Sequence, residues 1–307
     1  MPTKRATTIR YQRWLWNKRI NPRLGTHDLA ALDRATIRYA LKEIGVSGHT
    51  TANRAQGLLR HMLNVAVENE LLASSPMARM ASLFKESSRD RVLKEHEIEA
   101  FWAALSPERR CEWRVSARMC AALQLVLVTG ARGNEIAGLC AEEIDISARL
   151  WTIPASRFKG KRAQTIPLTS MAMGILEQAF GGPAHEWSGF AFPNALHENQ
   201  PMERMSLTRA MHVIVDGIGI ERATPHDLRR TMATYMASEK VGVAPHVITA
   251  VLGHSPEGAV VTRIYNRHLY DREKRAALEA WSRLLAEIVQ PAGADDAGST
   301  EIKASVA

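Results

Sequence analysis

Between Thr224 and Tyr270 the chain collects side chains that could hold a phosphodiester and attack it. His226 and Arg229 stand three apart, His254 follows Gly253, and Tyr265 comes shortly after. A guanidinium matches phosphate oxygens with a two-pronged fork, and an imidazole can take or give a proton near neutral pH. A phenol, with an ordinary pKa of about 10, needs a cationic site before it can attack at neutral pH. Tyr265 is the expected nucleophile. Tyr11 and Tyr39 lie in a basic N-terminal region, and Tyr235 falls in the helix that begins near His226. Tyr270 is the close rival.

The elements around these residues give each a position. Thr224 caps a helix, Pro225 fits its first position, and Asp227 sits where a carboxylate reaches back to the cap. This puts His226 and Arg229 on one side of a helix N-terminus, already an anion site. Local capping by His226 and an acid partner for Arg229 explain the His-Asp-Leu-Arg string about as well. A His in a Gly-His turn ordinarily satisfies backbone groups, so His254 alone says little. Upstream, the apolar run Arg118–Val128 reads as a buried helix stopped at Thr129-Gly130, with Arg132 on the turn that follows. By itself, a salt bridge from Arg132 to Glu135 is the preferred account. Glu143–Ile146, Leu150–Pro154 and Gln164–Leu168 read as three antiparallel strands. The turn before the third carries Lys159, Lys161 and Arg162, and basic residues on a hairpin tip are commonplace.

Charge separates the two ends of the chain. Residues 1–80 hold 13 Lys/Arg and 5 Asp/Glu, which accounts for the whole net charge of +8 over 307 residues. A locally basic region is the footprint of a polyanion binder; a solvated basic face explains it equally well. Helical patterns cover this region: residues 7–20, ended by Asn21-Pro22 and Leu24-Gly25, then Asp33–Ile44, broken by Gly45 and Gly48, then one from Thr50 or Thr51 to Asn69. Trp14 and Trp16 are read as core. Residues 81–91 read as a linker. The pattern over Asp271–Val289 is apolar on one side, suiting either its own domain or a neighbouring protomer. Residues 290–307 are expected to be a disordered tail. Cys111, Cys120 and Cys140 lack C-x-x-C spacing, which argues against a zinc site or disulfide framework. No apolar run of transmembrane length and no signal peptide is visible, so a cytoplasmic location is expected.

The order of the motifs is more specific than any one of them. Thr129-Gly130-x-Arg132-x-x-Glu135, Lys159 in a hairpin before Ile166-Pro167-Leu168, His226-x-Leu228-Arg229, Leu252-Gly253-His254 and Ile264-Tyr265 follow one another. This resembles the tyrosine recombinase (phage integrase) family, its prophage and genomic-island branch, over roughly residues 8–289. The resemblance implies a mainly α chain: a helical, SAM-like core DNA-binding domain (1–80), a linker (81–91), and a mixed α/β catalytic domain (92–289) of the DNA breaking-rejoining fold with its small three-stranded antiparallel sheet. It implies that Tyr265 attacks the scissile phosphate to form a 3′-phosphotyrosine, and that Arg132 and Arg229 hold the non-bridging oxygens. Lys159 would protonate the leaving 5′-oxygen, His226 would assist proton transfer and His254 would hydrogen-bond the phosphate; Glu135 and Asp227 would be scaffold. The implied partners are double-stranded DNA, a tetramer assembled on it, and an accessory DNA-bending or directionality factor; no cofactor or metal is implied. Two departures stand out. The arm-binding domain that many such integrases carry is expected to be missing, and Gln164 stands where relatives often have His or Arg. A DNA-binding protein without strand transfer and a type IB topoisomerase are the alternatives.

Overall fold

The structure, a computed structural model, describes residues 6–86, 90–158, 162–254 and 270–290. The chain divides into two compact units, Met1–Arg89 and Asp90–Ala307.

The described part of the first unit is helical. Helix α1 (Ala6–Leu15) runs through a π-helical turn (Trp16–Ile20) into α2 (Asn21–Leu24). Asn21-Pro22 therefore does not end the helix, as its sequence suggested. Pro22 cannot donate to the preceding turn, and the wider π turn absorbs that loss. Helix α3 (Arg34–Val46) is capped by Asp33, whose Oδ1 accepts from Thr36 N at 2.8 Å. Gly45 stays inside α3. A Cβ there would lie 2.2 Å from the Phe84 ring, so this glycine marks close packing and not a break. Helix α4 (His49–Glu68) follows, and Leu15, Ile20, Ile37, Leu41, Ile44, Leu59, Leu63 and Met77 close the core. Gln56, Asn53 and Arg60 on α4 bond the carbonyls of Ala81, Phe84 and Met80, holding the returning chain to the bundle. Trp14 is not core: it is exposed, stacked on Tyr11 at 5.7 Å, with the Arg19 guanidinium 5.5 Å from its ring centre. Trp16 is half-buried.

The second unit is built around a helix that is buried on nearly every face. After α5 (Glu95–Ala104) comes α6 (Ala117–Thr129), nine of whose 13 residues are buried. That saturation makes α6 the post around which α8 (Ser170–Phe180), α9 (Arg204–Gly217) and α10 (Pro225–Ala237) pack. The short α7 (Gly133–Ala137) branches from its end. Strands β1 (Ile144–Asp145), β2 (Leu150–Ile153) and β3 (Gln164–Pro167) form an antiparallel sheet in that order, with Trp151 opposite Ile166. Glu143 stands just outside the sheet; its carboxylate takes the indole N–H of Trp151 and the guanidinium of Arg157.

Helix α11 (Pro245–Val251) and helix α12 (Asp271–Val289) complete the unit. The apolar side of α12 is filled by its own unit: Ala277, Leu278, Trp281 and Leu285 are buried, and Trp281 Nε1 donates to Leu127 O at 3.0 Å. Of the two uses that the pattern left open for this face, packing within its own domain is the one observed. Among the described residues no helix is long and apolar enough to cross a membrane, and no cluster of His, Cys, Asp and Glu could hold a metal ion. Of the expected tail, 290–307, all but Gln290 lies outside the described residues.

Candidate active site

Four of the six residues singled out from sequence meet at one place in the second unit. The first is set by the end of α6. Gly130 adopts a left-handed φ of 64° and ends the helix, and a Cβ there would strike the Met232 side chain of α10 at 2.2 Å. Two residues on, Arg132 caps α7. Glu135 fixes it twice, accepting from Arg132 N at 2.8 Å through Oε2 and from Nη1 at 2.8 Å through Oε1. The Phe158 ring lies 5.4 Å from the Arg132 guanidinium carbon, a cation–π contact that supports the head from the sheet side. The salt bridge to Glu135 thus exists, and it holds a guanidinium whose side chain is still 27% exposed.

The start of α10 places the next two. Asp227 Oδ2 accepts from Thr224 N (2.9 Å) and Thr224 Oγ1 (2.7 Å), closing the cap, while its Oδ1 takes Arg230 Nη1 at 2.7 Å. His226 is exposed, whereas Arg229 turns inward and is 3% exposed. The described hydrogen bonds of Arg229 go to neutral acceptors and not to an acid: Nη1 to Gly130 O, and Nη2 to Leu252 O at 2.5 Å and to His254 Nε2 at 3.1 Å. Burial draws its pKa down to about 10, helped by the nearby Arg132 charge; it stays cationic at neutral pH. His226 is held below the ordinary imidazole value, first by partial desolvation and then by the Arg230, Arg229 and Arg132 charges. It is neutral at neutral pH, ready to accept a proton.

His254 is set by the turn after α11. Gly253 has φ 57°, and a Cβ there would lie 2.6 Å from the Phe158 ring. Since arginine can only donate, His254 Nε2 faces Arg229 Nη2 at 3.1 Å as the acceptor. Arg132, His226, Arg229 and His254 therefore form one electropositive, partly open site with its carboxylates turned to capping work. Lys159 and Tyr265 lie outside the described residues. Their neighbours are described: Phe158 sits beneath Arg132, and Tyr270 caps α12 with its ring tilted on His246, centroids 5.4 Å apart.

Two contributors carried little sequence signal. Arg230 is visible only as the second arginine of a tandem pair. Gln164, noticed as an odd residue in its strand, is buried and donates Nε2 to Ala250 O at 3.0 Å and to Val251 O at 3.4 Å.

A helical unit of this kind with its small antiparallel sheet is the catalytic fold of DNA-joining integrases. A structure of λ integrase as a dimer bound to a COC′ core site superposes with a TM-score of 0.68, at 15% identity, covering 83% of this chain and 90% of that one. The λ integrase tetramer bound to a Holliday junction gives 0.67, covering 83% and 73%. At such identity these neighbours establish the fold. The family comes from sequence: residues 91–272 match the phage integrase family, and the chain belongs to it. Prophage integrase IntA of Escherichia coli K12 is 26% identical over 288 residues, 92% of this chain and 67% of the relative. Prophage integrase IntZ of the same organism is 24% identical over 275 residues, 89% of this chain and 64% of the relative. The chain thus spans about two thirds of the length of these relatives.

Proposed function

We propose that this chain is a tyrosine site-specific recombinase that cleaves and rejoins DNA through a 3′-phosphotyrosine, integrating or excising a mobile element. The observation that carries this is the convergence of Arg132, His226, Arg229 and His254 from separate elements onto one anion-seeking site in a phage integrase chain. Phosphoryl transfer depends chiefly on positioning and charge, which fixed guanidiniums supply.

The phenolic oxygen of Tyr265 attacks the scissile phosphorus as the bond from phosphorus to the 5′-oxygen breaks. Its proton passes toward neutral His226, and Lys159 gives a proton to the departing 5′-oxygen. Arg132 and Arg229 take the non-bridging oxygens. His254, whose Nε2 faces Arg229 in the free protein, turns a donor N–H to phosphate once the anion occupies the site. The phosphotyrosine keeps the energy of the broken bond, so a 5′-hydroxyl can reverse the step without ATP. The basic residues of 1–80 bind the duplex, four protomers assemble on two duplexes, and the work is done in the cytoplasm. Accessory bending or directionality factors fit the same scheme.

The test is capture of an SDS-resistant DNA–protein adduct on nicked duplexes drawn from a randomised library. Tyr265→Phe is expected to abolish the adduct and leave DNA binding intact. Binding without any adduct in the wild-type protein would instead favour a DNA-binding protein without strand transfer.

A further inference from the structure

Strand β3 reaches both sides of the chain segment in which Tyr265 falls. Its first residue, Gln164, donates its amide to the last carbonyls of α11, Ala250 and Val251, just before Gly253 and His254. Its second, Thr165, points to the opposite face, as neighbours in a strand must. There Thr165 Oγ1 donates to Asp271 Oδ1 at 2.8 Å, at the first turn of α12. Lys274, 3% exposed, donates to Thr165 Oγ1 at 2.7 Å and to Thr165 O at 2.9 Å, and pairs with Asp271 Oδ1 at 2.7 Å. Just ahead of the cluster Tyr270 takes a left-handed φ of 54°, a conformation that persists only where the surroundings over-determine it.

A buried ammonium is a poor stabiliser, because desolvation offsets most of what its partners return. What such a group does well is fix register. The short tether on this side makes register matter: Tyr265 and Tyr270 are at most about 18 Å apart along the chain. We propose that β3 is the positioning element for the nucleophile, with Gln164 holding the α11 end and the Thr165–Asp271–Lys274 clasp holding the α12 end. These are positioning residues; none touches the phosphate. The inference rests on the reading of Tyr265 as nucleophile.

The test uses single-turnover adduct formation at saturating DNA, on a nicked duplex selected from a randomised library by its adduct with the wild-type protein. Thr165→Val removes the hydroxyl and keeps the shape, and Lys274→Met removes the ammonium and keeps the stem. Each is expected to slow adduct formation about ten- to a hundredfold, the effect of a small misplacement of a reacting group. DNA affinity and melting temperature should stay close to wild type, and Thr165→Ser should restore the rate. Asp271→Ala, at a more exposed position, tests the same clasp if the others fail to fold. The slowing should persist on a duplex with a 5′-bridging phosphorothiolate, whose sulfur leaves without a general acid. A wild-type rate in all three variants would overturn the proposal, as would a defect that disappears on the sulfur substrate, since β3 would then act through Lys159. The Tyr265→Phe control separates the two readings. Its loss of adduct beside wild-type rates in all three variants sinks the positioning proposal alone, whereas an adduct surviving in Tyr265→Phe sinks both.

Discussion

Arg229 holds its charge where water scarcely reaches, bonded to two carbonyls and a histidine. A lysine would keep the charge and lose the fork. Arg229→Lys is therefore expected to cut single-turnover cleavage by about a hundredfold while DNA affinity changes little, since donors aimed at transition-state charge have effects of that size. His226 gives a pH signature. Its neutral form is the proton acceptor, and its pKa lies below the ordinary 6.5. Cleavage at sub-saturating DNA should hold steady as pH falls to about 6.5 and decline only below it, and His226→Gln should flatten that acid limb. The types and order of these residues were readable in the chain, because capping and helix-stop rules place Arg132, His226 and Arg229 at element ends. Their division of labour was not. Nothing in His-Asp-Leu-Arg says that Arg229 faces inward onto carbonyls while His226 stays in solvent, because that depends on where α6 and α11 end in space.

At the scale of elements, two turns decide the geometry. Gly253 needs both its φ of 57° and the space that a Cβ would take from Phe158. Gly253→Ala should destabilise the protein by about 1–2 kcal/mol, read as a lowered melting temperature, and should slow cleavage further by displacing His254. Helix α12 is tied to α6 by Trp281, and Trp281→Ala is expected to cost about 3–5 kcal/mol in denaturant unfolding. The saturated run of α6 was legible because an apolar stretch of helical length has to be buried, and the short strands because turn residues separate them. The passage of α1 into α2 across Pro22 was not, since a π turn leaves no mark in the residue pattern. The exposure of Trp14 went unread for a different reason: its partners, Tyr11 and Arg19, are one helix turn away and not across a core. The Thr165–Asp271–Lys274 clasp joins positions more than a hundred residues apart, beyond the reach of any local rule.

For the whole molecule, the separation of charge is the leading physical fact: the net positive charge resides in residues 1–80, apart from the chemistry in the second unit. Arg10, Arg13 and Lys18 are exposed on or beside α1. Replacing all three with Ala is expected to lower the slope of log affinity against log salt by up to about 2.7, near 0.9 for each phosphate that is no longer neutralised. The cleavage rate at saturating DNA should be unchanged. The apolar side of α12, filled within its own unit, supplies no reason for a multimer, so the expectation of a tetramer rests on the family and not on that helix. The most direct measurement of the central claim is peptide mapping of the covalent adduct formed on a nicked duplex drawn from a randomised library. The account requires a single DNA 3′-phosphate linked to Tyr265. A phosphate on Tyr270 or any other residue, or a linkage through the 5′ end, would contradict it.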